Sequence, residues 1–256
     1  MFNLPAVILV DIGLASVVLG AASVLRPLRV LGIHSREAGM WVCLAGVAIA
    51  IAGMLLPAPV ARVAAVRSDL DRALPAWQFR ERHRTHVNAS PESVDRAIRA
   101  ISADDIRLFR TLTWIRSPRF GQTGGGNILS PPGGSVPILD VALRTGFIAV
   151  SDRPAREIVI GSIVAGPVGT LRGGRTAENF ISLEAPGFAK AAMNFAIEPD
   201  KAGGSTVTTE TRVYATDSGA ARRFAAYWRV IYPGSSLIRY MWLRAIGNNA
   251  EGRTGR

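Results

Sequence analysis

Near its C-terminus the chain repeats apolar residues at three- and four-residue spacing: Ala221, Phe224, Trp228 and Ile231, then, beyond Pro233-Gly234, Ile238, Met241, Trp242 and Ala245. That period predicts a long helix from Ser218 to Glu251 with an aromatic stripe that needs a broad partner. Trp77 to Val87 alternates instead. Trp77, Phe79, Glu81, His83, Thr85 and Val87 share one face, and Gln78, Arg80, Arg82, Arg84 and His86 the other, so a strand is expected with the first set inside.

Between these two elements the pattern predicts short helices and several strands. Ser90 caps a helix that starts at Pro91 and turns Val94, Ala97, Ile98 and Ile101 inward. Ser102 and Asp105 form a second, weaker capping box. Arg107 to Ile115 reads as extended, with a helix open for its first half, and 117–137 is a glycine- and proline-rich loop, either a flap or plain disorder. A short helix over Pro137–Thr145 closes at Gly146. Strands are expected at Phe147–Ser151 and Glu157–Val164 around an Asp152-Arg153-Pro154 turn, at Asn179–Glu184, and at Lys190–Glu198 and Ser205–Ala215 as a hairpin. On the last strand Val207, Thr209, Thr211 and Val213 oppose Thr208, Glu210, Arg212 and Tyr214; both sets are mixed, and the pattern leaves the inner face open.

The N-terminal part follows another rule. Leu4 to Leu25 and Ala38 to Leu56 are apolar runs long enough, at about 1.5 Å per residue, to cross a hydrocarbon core of about 30 Å. Gly20-x-Ala22 also fits a cleavage site, but no Lys or Arg precedes the first run and Asp11 interrupts it, which favours a retained membrane hairpin. Gly13 and Gly20, like Gly46 and Gly53, lie seven apart and offer small-residue faces for close packing. Asp11 reads either as a functional carboxylate at depth or as a side chain that reaches the headgroups from two turns inside the span. Val63, Val66, Leu70 and Leu74 predict an amphipathic helical linker on the membrane surface. Arg26, Arg29 and Arg36 in the loop balance Arg62, Arg67 and Arg72 after the second run; the expectation taken forward is a cytoplasmic soluble domain.

Composition narrows the function classes. With 48% hydrophobic residues in 256, the chain has room for one soluble domain plus membrane segments. Its net charge of +11 is nearly all arginine, without a basic stripe interleaved with aromatics, so anionic lipid is a better partner than nucleic acid. A single cysteine, Cys43, excludes an intramolecular disulfide and a multi-cysteine metal site. His83 and His86, three apart on a strand, point to opposite faces and cannot chelate one ion together. The glycines of 123–134 lack the Lys and Ser/Thr that follow a phosphate loop, so no cofactor is expected.

In the stretches RERHRTHVNASPESVDRAI, PGFAKAAMNFAIEP, TVTTETRVYATD and ARRFAAYWRVIYPGSSLIRYMWLRAI, the chain resembles the START-like (Bet v 1-like, SRPBCC) superfamily of polyketide cyclases and lipid-transfer domains. The resemblance implies an α+β helix-grip fold: a curved antiparallel sheet gripping the long C-terminal helix, here preceded by two transmembrane helices. The expected division is 1–57 hairpin, 58–75 linker, 76–251 helix-grip domain and 252–256 disordered tail. It also implies a deep, mostly apolar cavity for a lipid, polyketide or other hydrophobic molecule, with no universal catalytic set.

The candidate cavity residues are Trp77, Phe79, Glu81, His83, Trp114, Phe195, Glu210, Arg212, Tyr214, Phe224 and Trp228. Glu81 and His83, with Glu210, Arg212 and Tyr214, would orient a polar headgroup; Glu81 and Arg212 could equally form a buried structural ion pair. The leading expectation is a membrane-anchored binder of a hydrophobic ligand. An enzyme of cyclase or hydrolase type, with His83 as general base, and a protein-binding scaffold using Arg80, Arg82 and Arg84 are the alternatives.

Overall fold

The computed structural model describes residues 4–106, 136–166, 176–201 and 203–253, which form two compact units. The first unit comprises residues 1–59 together with 222–232. Its helices α1 (Leu4–Leu25) and α2 (Arg36–Leu55) are both long and apolar enough to cross a membrane. A 3-10 turn at Arg29–Leu31 joins them, and Ser35 caps α2 by accepting from the Ala38 N–H. They run antiparallel at very close range. A methyl placed on Gly13 would lie 2.5 Å from the Ala50 nitrogen, and one on Gly20 2.5 Å from that of Cys43. The small-residue faces expected at 13, 20, 46 and 53 are therefore the contact itself.

The second unit comprises 60–221 and 233–256. It opens with β1 (Ala61–Arg62), α3 (Asp69–Ala73) and β2 (Ala76–Trp77), in which β2 returns to pair with β1. There follow β3 (Phe79–Val87), α4 (Pro91–Ala100), a 3-10 turn at Ala103–Asp105, α5 (Ile138–Arg144), β4 (Ile148–Arg153) and β5 (Glu157–Ala165). The chain ends with α6 (Ala177–Ile181), β6 (Ala189–Pro199), β7 (Ser205–Ala215) and the long α7 (Ser218–Ala250). β3 to β7 make one curved antiparallel sheet in the order β3-β7-β6-β5-β4, with register shifts at Ala149/Ser151 and Ile163/Ala165 where bulges bend the strands.

Helices cover both sides of this sheet. On one face α4, α5 and the end of α7 bury Val94, Ile98, Ile138, Trp242 and Ile246 against Ile158, Phe195 and Val207. On the reverse face Leu70 and Leu74 join Phe180 of α6 over Val159 and Ala192. Gly161 makes room for Phe180, whose ring would lie 2.8 Å from any Cβ there. Lys190 caps the end of α6 by donating to the Ile181 carbonyl at 2.8 Å; burial pulls its pKa down, and the Glu184 carboxylate opposes this.

Several expectations change. Asn179–Glu184 is not a strand: Thr176 accepts from the Asn179 N–H and starts α6 instead. The turn after β4 is Pro154-Ala155-Arg156, with Ala155 at φ +55°, rather than 152–154. The helix expected over 58–74 forms only at Asp69–Ala73, where a Ser68/Asp71 capping box starts it, and its apolar residues Leu70 and Leu74 are spent on the sheet. The aromatic residues Phe224 and Trp228 group with the hairpin, while the sheet is covered by the later turns of α7. The loop of 117–135 and the extended segment at 107–115 lie outside the described residues.

Candidate functional site

β3 lies at the edge of the sheet, and its alternation is as expected from Phe79 to Val87: Phe79, Glu81 and Val87 are buried, while Arg80, Arg82 and Arg84 are exposed. Antiparallel register puts Glu81 opposite Thr211 and His83 opposite Thr209 on β7, and the next strand adds Met193 and Phe195. Two rungs result. They run Glu81–Thr211–Met193 and His83–Thr209–Phe195, each grading from polar at the edge to apolar inside.

Helix α7 closes over these rungs with residues at four- and three-residue spacing, Ser235, Arg239 and Trp242. The Ser235 hydroxyl donates to Glu81 Oε2 at 2.9 Å. Arg239 donates to Thr211 Oγ1 at 2.8 Å, touches the Met193 sulfur and lies 5.6 Å over the Trp242 ring. Trp242 meets Phe195 edge to face at 5.1 Å. Glu81 is 3% exposed, so these few partners take the place of water around its carboxyl.

The histidine geometry restricts the chemistry. His83 Nε2 lies 2.8 Å from Glu81 Oε1 and 3.4 Å from Ser236 Oγ, so both partners address the same ring nitrogen. A carboxylate only accepts, so an Nε2 that donates to Glu81 has no lone pair with which to activate Ser236. A nucleophile-base-carboxylate relay uses both ring nitrogens in series, and this arrangement does not.

Glu210, Arg212 and Tyr214 stand on the reverse face. Arg80 grips Glu210 with two bonds, at 2.8 and 2.9 Å. Arg212 donates to Glu210 at 2.6 Å, to Asp71 at 2.7 Å and to the Leu74 carbonyl at 3.2 Å. Glu157 extends the layer by accepting from Asn194 and from the Asp69 N–H at the start of α3, both at 2.7 Å. Burial alone would raise the Glu210 pKa, but its bonds and charge interactions with Arg80 and Arg212 outweigh this and hold it below the usual range. The same balance, with Arg67 N–H and Arg212 as donors, lowers Asp71.

The expected cavity set therefore divides. Phe79, Glu81, His83 and Phe195 share the helix-facing side. Trp77 does not: the break between β2 and β3 at Gln78 turns its ring under the Arg212 guanidinium, 4.3 Å from the centroid. Gln78, expected in water, is buried and exchanges two bonds with Ala215. Glu81 and Arg212 are not an ion pair, because Arg212 is spent on Glu210 and Asp71. Phe224 and Trp228 stack on each other within the hairpin unit, and Trp114 lies outside the described residues. Sequence reasoning missed Ser235 and Arg239, although their spacing to Trp242 was a usable signal.

Two hollows formed by described residues lie elsewhere. One, of about 150 Å³, is bounded by Arg99, Leu139 and Val159; the other, of about 250 Å³, by Arg62, Lys190 and Tyr214. Neither is lined by Glu81 or His83. Comparison of the chain with protein-family models and with curated proteins finds no match.

Proposed function

We propose that this is a membrane-anchored protein that binds an amphipathic, largely hydrophobic molecule, a lipid or a polyketide-like compound, between the sheet and α7. The observation that carries this reading is the graded pair of rungs. Glu81 and His83 stand at the open edge strand, while Phe195, Met193 and Trp242 lead into the apolar layer, so a polar head and a long apolar body meet matching surfaces in order. The element order of strand, helix pair, antiparallel strands and long terminal helix supports a helix-grip architecture of START-like type. The two apolar helices would hold the domain where such a ligand is found. A hydrolase-type reading is less favoured, because Nε2 of His83 serves Glu81 and Ser236 alike.

The test is extraction and identification of small molecules bound to the full-length protein purified in detergent. One amphipathic species enriched over its share of the source membrane, and depleted in a Glu81→Gln/His83→Ala variant, is the expected result. A bound profile that mirrors the bulk membrane in both proteins would overturn the reading.

A further inference from the structure

The reverse face of the sheet carries the hollow of about 250 Å³, enclosed by α3, the end of α6 and strands β1, β6 and β7. Every residue around it belongs to the sheet unit. Three cations line it from three elements, Arg62 of β1, Arg72 of α3 and Lys190 of β6, against one carboxylate, Glu184. Tyr214, the register partner of Lys190 on β7, stands beside them.

The cations are unequally committed. The Lys190 side chain is 3% exposed, and its ammonium donates to the Ile181 carbonyl at 2.8 Å and to the Phe180 carbonyl and Glu184 Oε1 at 3.4 Å each. Arg72 holds Asp69 at 2.6 Å with 66% of its side chain exposed, and Arg153 shares that aspartate. Arg62 is exposed and forms no ion pair among the described residues.

Glu184 is the loosest member of the group. It lies between α6 and β6, its side chain is 64% exposed, and its contact with Lys190 is long. Its reach extends to Tyr214: burial raises the Tyr214 pKa, Glu184 adds to this by charge and by a hydrogen bond, and Arg62 pulls the other way. These groups therefore act on one space. A mostly exposed carboxylate at that distance from its cation costs little to displace.

We propose that this hollow binds a phosphate group, with Arg62 and Arg72 donating to its oxygens at the rim, and with Glu184 swung aside so that the phosphate takes its place above the Lys190 ammonium. The excess of cations over the single carboxylate sets the sign of the ligand. A phosphate offers oxygens in several directions and up to two charges, which suits cations converging from three elements better than the planar pair of a carboxylate does. The site is on the side of the sheet away from Glu81 and His83, so it is independent of the ligand proposed above.

The test is calorimetric titration of the full-length protein, in non-ionic detergent at constant ionic strength, with inorganic phosphate, glycerol 3-phosphate and dihexanoyl phosphatidic acid. Inorganic phosphate should bind, and Arg62→Gln should weaken it about tenfold. Glu184→Gln should tighten it several-fold, because the built-in competitor loses its charge. Arg84→Gln, which removes the same charge from an exposed position on β3, should leave it unchanged. Preference for phosphatidic acid over glycerol 3-phosphate would support the proposal with a lipid headgroup as the source, and the opposite preference would support it with a soluble phosphate ester. Absence of binding by all three, or equal weakening by Arg62→Gln and Arg84→Gln, would overturn it. Weaker binding in Glu184→Gln would make that carboxylate a fixed part of the fold and would overturn it as well.

Discussion

Glu81 and Glu210 are both buried carboxylates, on the edge strand of one sheet and on the strand beside it, yet they face opposite ways and are compensated differently. Glu210 has Arg80 on two bonds, Arg212 on a third, and Arg82 at 3.6 Å. Glu81 has one histidine and one serine hydroxyl. A buried charge that is over-determined by guanidinium groups is costly to disturb, whereas one held by a single imidazole and a rotatable hydroxyl has fewer bonds to lose. The reverse face is thus held by many charged bonds and the helix-facing side by few.

The largest break in that contrast is expected from Arg212→Met, which takes the only guanidinium from buried Asp71 of α3 and leaves Glu210 to Arg80 and Arg82. Thermal or urea unfolding of the full-length protein in detergent should show a loss of about 3–5 kcal/mol. Acid should reach the same layer more gently. Glu210 and Asp71 have pKa values below their unfolded ones, so their contribution is complete above about pH 4 and is lost as pH falls through the lower folded values. The urea midpoint should accordingly drop as pH is lowered from about 4, and less so in Arg212→Met, where Asp71 has already lost its guanidinium. The smallest effect on stability is expected from Glu81→Gln. The amide can still accept from His83 and donate to Ser235, whose hydroxyl works either way, so unfolding should shift by less than about 1 kcal/mol. A loss as large as that of Arg212→Met would make both faces structural and erase the contrast.

Local patterns in the chain were informative about elements. The Phe79–Val87 alternation, the Ser90-Pro91 start of α4 and the period of α7 each correspond to the structure, because each depends on contacts made within a few residues. What depended on distant partners was illegible. The inner face of β7 was undecidable because both faces are covered: Thr209 and the partly buried Thr211 bond to Arg239 of α7, and Glu210 and Arg212 lie under the α3 region. Arg212 meets Asp71 across 141 residues, and nothing local in either marks the other. Trp77 was misassigned because one break at Gln78 reverses every later face assignment relative to it. The stripe of α7 read as one surface with one partner, but Phe224 and Trp228 group with the hairpin and Ile238 and Trp242 with the sheet. Periodicity reports that a face is buried and says nothing of what buries it.

The hairpin carries a consequence for substitution. Its contact is made by backbone atoms meeting across Gly13, Gly20, Gly39, Gly46 and Gly53, positions that repeat every seven residues along each helix. Side chains such as Val18, Leu25 and Trp41 point away from that seam. Over most of the two helices one oily residue can therefore replace another without touching the seam. What the seam fixes is a sparse rhythm of missing side chains, strict enough to keep two helices together.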